Sequence, residues 1–165
     1  MLKNMLKPGA ESAPSTDIVR PQTYYNVNLR DDGIVWLERN ARIFPSVREI
    51  HCAYDEFLHE VDNWILERRM KRGKLGTTAR SPMAWLVDIR SAPSRRNDAE
   101  FERVVEERRK DLLRRSPLLA ILVRTASGKM QLTRMARDGG AKLLIFDDFA
   151  AAVAALRAAM DETFR

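Results

Sequence analysis

The spacing of apolar and polar side chains predicts a β-hairpin at the start of the folded part. Residues 25–29 alternate apolar and polar side chains, and residues 34–37 form a second apolar segment. Alternation is typical of a half-buried strand. The two segments are separated by Asp31-Asp32-Gly33, and an Asp-Gly pair favours a tight turn because glycine tolerates a positive φ angle.

A long amphipathic helix is predicted next. Ser46 and Glu49 stand three residues apart, which is the spacing of a capping box at a helix start. Apolar side chains then recur every three or four residues, at Val47, Ile50, Tyr54, Phe57, Leu58, Val61, Trp64 and Ile65. A single stripe at this period predicts a helix over residues 46–69 with one buried face.

The remainder alternates continuous apolar segments with helical ones. Residues 83–89 are typical of a strand buried on both faces, residues 118–123 of a second buried strand, and residues 143–146 are predicted to form the last strand. The residues that can cap the helices after them are Asn97 or Asp98, Thr125 or Ser127, and Asp147 or Asp148. The side chains expected to face inward are Phe101, Val104, Val105, Leu112, Leu113, Phe149, Val153 and Leu156. The predicted fold is α/β, with a mostly parallel mixed five-stranded sheet that opens on an antiparallel hairpin and is flanked by four helices.

Length and composition place this fold in one domain. The chain has 165 residues, of which 45% are hydrophobic, enough for a core without disulfides. We expect a single domain over residues 23–165 and a flexible tail over residues 1–22, which are rich in proline, glycine and serine. The sequence shows neither a signal peptide nor the ~20 consecutive apolar residues of a membrane span. These absences and a lone cysteine, Cys52, lead us to expect a cytoplasmic protein.

The order of elements resembles the STAS superfamily, the fold of anti-sigma-factor antagonists. Within it the chain is similar to the SpoIIAA-like branch, which is related to lipid-binding CRAL-TRIO domains. The resemblance extends from about residue 25 to residue 159. The resemblance rests on residues 87–89, 118–123 and 144–149, with Ala152, Val153 and Leu156. It implies a non-enzymatic module that binds a protein partner or a small apolar ligand.

The phosphorylatable serine motif of the STAS regulators is absent from this chain. Those regulators carry an Asp-Ser-Ser sequence at the start of the helix after the central strand. Here the same place reads Arg95-Arg96-Asn97-Asp98, and the nearest serines, Ser91 and Ser94, come earlier.

The sequence contains no strong signal for a catalytic site. His51 and His59 are eight residues apart, whereas metal ligands on one helix stand four apart. No Gly-x-Ser-x-Gly sequence is present, and the glycines and lysine of residues 72–78 lack the P-loop spacing. We therefore expect no enzyme activity, no metal and no cofactor, and we expect Cys52 to be a small core thiol.

Charge is concentrated in one segment. The net charge is +6, and residues 68–80 contain six basic residues and no acidic one. The candidate contacts with an anionic surface or membrane are Arg68, Arg69, Lys71, Arg72, Lys74 and Arg80. A solvated connector is the alternative interpretation of this segment. The helix after Asp98 is also rich in arginine, but pairs such as Glu106–Lys110 and Asp111–Arg115 predict a salt-bridged solvent face.

The carboxyl ends of the parallel strands form the second candidate region. Ligands of open α/β sheets bind beyond these ends. Here the ends provide Asp88, Arg90, Ser94, Arg124, Thr125, Ser127, Asp147 and Asp148. The candidate partner-binding residues are Ser91, Ser94, Arg95, Arg96, Asn97 and Asp98.

The leading functional hypothesis is a non-catalytic cytoplasmic regulatory module of STAS type that binds a protein partner. One alternative is a carrier of a lipid or other apolar ligand that docks on anionic membrane. A second is binding to the phosphate backbone of nucleic acid.

Overall fold

A mixed sheet of six strands forms the centre of the protein in a computed structural model that describes residues 18–71, 83–94, 98–138 and 143–164. The strands are β1 (Ile18–Pro21), β2 (Tyr25–Leu29), β3 (Ile34–Arg39), β4 (Ala84–Asp88), β5 (Leu119–Leu122) and β6 (Leu144–Phe146). Their order across the sheet is their order along the chain. Strand β2 runs antiparallel to its neighbours β1 and β3, and β3 to β6 run parallel. The α/β class and the mixed sheet with its opening hairpin are confirmed.

The sheet has one strand more than expected, because β1 lies within the predicted tail. Ile18 is the register partner of Leu29, and Pro21 is that of Asn26. An edge strand needs only one row of backbone hydrogen bonds, and proline is tolerated there, so the composition of this segment did not reveal it. Residues 1–17 of the predicted tail lie outside the described residues.

Four helices cover the sheet, as predicted: α1 (Val47–Lys71), α2 (Ala99–Arg115), α3 (Ala126–Asp138) and α4 (Phe149–Thr163). Helices α1 and α2 bury their apolar stripes against one face of the sheet, which includes Trp85 of β4. Helix α4 packs against the opposite face, where Leu156 meets Leu86 and its neighbours. Successive residues of a strand point to opposite faces, so the continuous apolar sequence of β4 supplies both layers.

The predicted helix starts are confirmed by their caps. Asp98 Oδ1 accepts a hydrogen bond from the backbone N–H of Glu100 at 3.0 Å. Thr125 Oγ1 accepts one from Gly128 N–H at 3.1 Å, and Asp148 Oδ1 accepts one from Ala151 N–H at 2.8 Å. Helix α1 begins directly after Ser46. Each cap satisfies backbone donors that have no partner within the helix.

Two predicted inward positions are wrong. Cys52 is exposed because the buried stripe of α1 follows Ile50, Ala53 and Phe57 and leaves position 52 on the outer side. Val105 is 41% exposed. The buried residues of α2 are Val104 and Leu112 only, so its inward stripe is narrower than its apolar composition suggested.

A buried arginine holds the segment after β3 to the sheet. The Arg39 side chain is 5% exposed, and its guanidinium lies 4.3 Å from the ring centre of Phe44. It donates hydrogen bonds to the carbonyl oxygens of Tyr24 at 3.1 Å and Asn40 at 2.8 Å. Burial lowers the pKa of Arg39 from its usual value. Stacking on aromatic rings and bonding to carbonyl groups compensate the lost hydration of this cation.

No helix in the described ranges is both long enough and apolar enough to cross a lipid bilayer.

Candidate functional site

The predicted partner-binding loop follows β4 at the carboxyl edge of the sheet. Ser91 and Ser94 are exposed there. Asp98 is not a free contact residue, because its Oδ1 atom accepts hydrogen bonds from the N–H groups of Glu100 and Phe101 at 3.0 and 3.3 Å. Arg95, Arg96 and Asn97 lie outside the described residues. The structure therefore leaves the two serines as the described polar contacts of this loop.

Asp88 and Arg90 form an ion pair at the carboxyl end of β4. Asp88 is 2% exposed, and its carboxylate accepts hydrogen bonds from Arg90 Nε at 3.0 Å and Nη2 at 2.7 Å. The hydrogen bond from Arg90 to Asp88 raises the pKa of Arg90. Asp88 also accepts from the backbone N–H of Arg90 at 3.0 Å. The pair fixes the first residues of the loop and engages both carboxylate oxygens of Asp88.

Of the six residues predicted to contact an anionic surface, three lie in helix α1 and three lie outside the described residues. Helix α1 continues to Lys71, so Arg68, Arg69 and Lys71 belong to its last turn and not to a loop. The Arg68 guanidinium stacks 4.6 Å from the Trp64 ring centre and donates to the Arg30 carbonyl oxygen at 3.2 Å. Arg69 is partly buried and Lys71 is exposed. Arg72, Lys74 and Arg80 lie outside the described residues.

Arginine side chains of α2 form six ion pairs among the described residues, two of them with α1. Arg108 pairs with Asp55 and with Asp111 at 2.9 Å, and its Nε donates to His51 Nδ1 at 3.1 Å. Arg115 binds both carboxylate oxygens of Asp62, at 3.2 and 3.1 Å. The other pairs are Arg103–Glu107, Arg109–Glu106 and Arg114–Asp111. The prediction of a salt-bridged helix is confirmed, and two of these pairs, Arg108–Asp55 and Arg115–Asp62, join α2 to α1.

The individual partners on α2 differ from the predicted ones. Glu106 pairs with Arg109, one residue before the predicted Lys110. Arg115 is directed to Asp62 and not to Asp111, because α1 lies beside α2 and presents a carboxylate there. His51 is engaged by Arg108, as an edge-of-core histidine would be. Among the described residues no group of three or more His, Cys, Asp or Glu could hold a metal ion.

Helix α3 differs sharply from α2. Arg124, just before it, and Lys129, Arg134 and Arg137 within it are all exposed, and we call these four residues the α3 cationic face. Within the part of the chain that the structure describes, none of the four forms an ion pair or a side-chain hydrogen bond. Residues 124–137 contain no aspartate or glutamate. Four positive charges without a carboxylate partner among the described side chains therefore face solvent on one short segment.

Packing of α3 against the sheet is light. Ala136 is the only buried side chain among those described in α3, while Gly128 and Leu132 are half-buried. Met130 is 69% exposed. The helix thus presents most of its surface to solvent, with one large apolar side chain among its cations.

The loop after β4 and the start of α3 share one edge of the sheet. Strands β4 and β5 are parallel neighbours, with Asp88 in register with Leu122. Ile89 N–H donates to the Leu122 carbonyl oxygen at 3.0 Å, which extends this pairing to the strand ends. Ser91, Ser94 and Arg124 therefore leave the sheet at the same edge, as the sequence predicted for carboxyl ends of parallel strands.

The α3 cationic face is not among the sites predicted from the sequence. The signal was present as basic residues without an acidic one over residues 124–137. It was masked by the greater charge of residues 68–80 and by the number of arginines in α2.

Comparison of the chain with protein-family models, with curated proteins and with solved structures gave no match.

Proposed function

We propose that this protein is a non-catalytic regulatory module of STAS type that binds an acidic protein partner through the α3 cationic face. The observation that carries the proposal is that these four exposed cations meet no carboxylate among the described side chains. The mixed sheet with four helices is the architecture that the STAS resemblance implies. The lone exposed Cys52 is suited to a reducing compartment, so we propose a cytoplasmic location.

Like charges on a short helix repel one another, and an anionic partner would relieve that repulsion. The contrast with α2 strengthens this argument. Where arginines of this chain serve the fold, as Arg108 and Arg115 do, they face carboxylates of a neighbouring helix. The cations of α3 have no such role. Complementary charge would steer the encounter with an acidic partner and raise the association rate.

A protein fits this surface because the surface combines charge with an apolar contact. Met130 lies in the same helix as Lys129 and Arg134 and is 69% exposed. Methionine and arginine are both enriched at protein–protein interfaces, where an apolar centre is surrounded by polar contacts. Ser91 and Ser94, at the same edge of the sheet, would extend the contact as hydrogen-bonding groups.

The test compares two triple variants with the same change in charge. Lys129→Glu/Arg134→Glu/Arg137→Glu reverses the α3 cationic face, and Arg103→Glu/Lys110→Glu/Arg114→Glu reverses exposed positions of α2. Each variant and the wild type are immobilised and exposed to lysate of the source cells at 0.15 M salt, after circular dichroism has shown that all three are folded.

We expect one stoichiometric protein partner to be retained by the wild type and by the α2 variant. The α3 variant should lose it by at least about tenfold, and 0.5 M salt should weaken the wild-type complex. Equal retention by both variants, or no stoichiometric partner, would overturn the proposal.

Nucleic acid is the competing anionic partner for the same face. Binding of the wild type to duplex or single-stranded oligonucleotides is measured over a series of salt concentrations. A linear fall of the logarithm of the affinity with the logarithm of the salt concentration, lost in the α3 variant, would reassign the face to phosphate-backbone binding.

A further inference from the structure

The segments that follow β3, β4 and β5 leave the sheet at one edge and are all free of acidic residues. The three strands are parallel neighbours, with Glu38 in register with Asp88 and Asp88 in register with Leu122. The segments after them, which we call the basic edge, are residues 40–48, 89–94 and 124–127. Together they contain four arginines and no aspartate or glutamate. Adjacent strands lie about 4.8 Å apart, so the two outer segments leave the sheet about 10 Å from each other.

Three of these four arginines have no carboxylate partner among the described side chains. Arg90 is engaged by the ion pair at the end of β4. Arg42, Arg48 and Arg124 are exposed and form no ion pair within the described ranges. The basic edge is therefore continuous with the α3 cationic face, which begins at Arg124. The segment that follows β6 carries two aspartates instead, so the basic surface ends there.

A large apolar side chain, Ile43, lies on this edge and is 62% exposed. Its neighbour Phe44 packs on Tyr24, with the two ring centres 4.4 Å apart, and is half-buried. The chain thus places the aromatic side chain against the fold and leaves the isoleucine in solvent. Single exposed apolar side chains are common on protein surfaces, so the significance of Ile43 depends on how it is held and what surrounds it.

The backbone that carries Ile43 is fixed by hydrogen bonds from Arg39 and Asn40. Arg39 donates to the carbonyl oxygen of Asn40 at 2.8 Å and to that of Arg42. Asn40 Oδ1 accepts from the Arg42 backbone N–H at 3.0 Å, and Asn40 Nδ2 donates to the Thr23 carbonyl oxygen at 2.9 Å. A surface that is ordered before binding loses less conformational entropy when a partner arrives.

We propose that Ile43 is the apolar anchor of the partner interface, which extends from the α3 cationic face across the basic edge. This inference rests on the proposed function, because it names the surface that the acidic partner covers. The partner presents an apolar pocket surrounded by aspartate or glutamate side chains. Ile43 enters the pocket, and Arg42, Arg48 and Arg124 face the surrounding carboxylates, as in interfaces with an apolar centre and a polar rim.

Surface plasmon resonance on the immobilised full chain tests the anchor. The probe is the protein that the wild type retains from lysate at 0.15 M salt, purified before use. Ile43→Ser should lower the affinity by at least about tenfold, mainly through faster dissociation, and the ratio should persist in 0.5 M salt. Met70→Ser is the matched control and should bind like the wild type, because Met70 is 56% exposed at the opposite end of α1.

The arginines should give a different kinetic result, because charges at the rim of an interface act mainly on association. Arg42→Glu/Arg48→Glu should slow association by about fivefold or more, and this effect should shrink in 0.5 M salt. Lys110→Glu/Arg114→Glu makes the same change in charge at exposed positions of α2 and should slow association less. Circular dichroism first establishes that every variant is folded.

A phage-displayed library of random peptides is a second probe, which does not depend on the lysate. Peptides selected on the wild type should combine aspartate or glutamate with a large apolar residue. They should bind Ile43→Ser at least about tenfold more weakly. Selected peptides that lack acidic residues, or that bind Ile43→Ser as well as the wild type, would contradict the inference.

Two results with the purified partner would overturn this inference and leave the proposed function standing. One is an unchanged affinity of folded Ile43→Ser while the Lys129→Glu/Arg134→Glu/Arg137→Glu variant loses the partner. The other is an equal loss of affinity in Ile43→Ser and Met70→Ser. The absence of any stoichiometric partner would instead overturn the proposed function, on which the inference rests.

Discussion

Helices α2 and α3 are both rich in basic residues, but they differ in whether those residues have carboxylate partners among the described residues. In α2, five arginines form ion pairs, and Arg108 and Arg115 reach carboxylates of α1. The four cations of the α3 cationic face, with Arg124 two residues before the helix and the others within it, face solvent without a described partner. The number of arginines in a helix is therefore a poor guide to a binding surface. The informative quantity is the charge that remains after the contacts of the fold have been counted.

The two helices also differ in their attachment to the core. Leu112 of α2 is 2% exposed, and its carbonyl oxygen accepts a hydrogen bond of 2.8 Å from the indole N–H of Trp85. On α3, the leucine that packs toward the sheet is Leu132, and it is only half-buried. We infer that the packing of α2 contributes more to the stability of the fold than the packing of α3 does.

The largest expected effect tests that difference in attachment. Leu112→Ala should lower the free energy of unfolding by about 2–5 kcal/mol, the usual cost of a cavity at a fully buried leucine. Leu132→Ala should cost only about 1 kcal/mol, because less of its surface leaves water on folding. Urea denaturation of both variants measures the two values. Equal losses would show that α3 is as firmly packed as α2.

The second prediction compares one arginine from each helix. Arg108→Ala should cost about 1–3 kcal/mol, because its guanidinium bonds to charged and polar groups of α1 at a mostly buried position. Arg134→Ala should change stability by no more than about 0.5 kcal/mol, since an exposed side chain without contacts contributes little. Thermal unfolding of the pair measures the difference. A large loss for Arg134→Ala would reveal a structural role for the α3 cationic face.

Helix α4 provides an intermediate case, because a single carboxylate ties it to the β2–β3 turn. Arg157 Nη2 donates to Asp32 Oδ2 at 2.7 Å, and Arg30 bonds to the same carboxylate. Burial raises the pKa of Asp32, but the hydrogen bonds from Arg30 and Arg157 outweigh it and hold the pKa below the usual value. The ionised form is therefore favoured by folding.

The expected pH dependence follows from that direction. Asp32 contributes stability above the unfolded-state pKa of about 3.9, and this contribution is lost as pH falls through the lower pKa of the folded state. Asp32→Asn should cost about 1 kcal/mol at pH 7. Urea unfolding at pH 7, 5, 3 and 2 should show the difference between wild type and variant narrowing below about pH 4. A difference that stays constant to pH 2 would contradict the assignment.

The smallest effect concerns an exposed pair within α2. Arg103 and Glu107 lie 3.3 Å apart with side chains 65% and 60% exposed. Arg103→Ala should cost only about 0.3–0.5 kcal/mol, as is usual for exposed pairs one helical turn apart. The loss should disappear in 1 M NaCl, where the screening length is about 3 Å. Arg137→Ala on α3 is the control, and it should show no loss at either salt concentration.

Much of the fold could be predicted from local patterns. The stripe of α1 and the continuous apolar sequence of β4 indicate which surfaces must leave water. Asp98, Thr125 and Asp148 mark helix starts because a short polar side chain can accept from free backbone donors there. These signals need no knowledge of distant parts of the chain.

The remaining features depend on contacts between distant segments. Asp62 and Arg115 are 53 residues apart, and only the packing of α1 beside α2 makes them partners. Strand β1 is defined by backbone pairing with β2, to which its side chains give little clue. The buried Arg39 depends on a ring of aromatic residues and on carbonyl groups that meet only in the folded chain. Likewise, the lack of a described partner for the α3 cations could be recognised only from the positions of all described carboxylates.

The sequential strand order has a consequence for how the protein is made. Each strand pairs with the strand that precedes it in the chain, so the sheet can grow one strand at a time as the ribosome delivers it. Helices α1 and α2 can cover their face early in synthesis. The face that includes Leu86 and Leu122 must wait for α4, which follows the other three described helices in the chain. We expect the nascent chain to expose that apolar surface to chaperones until α4 has left the ribosome.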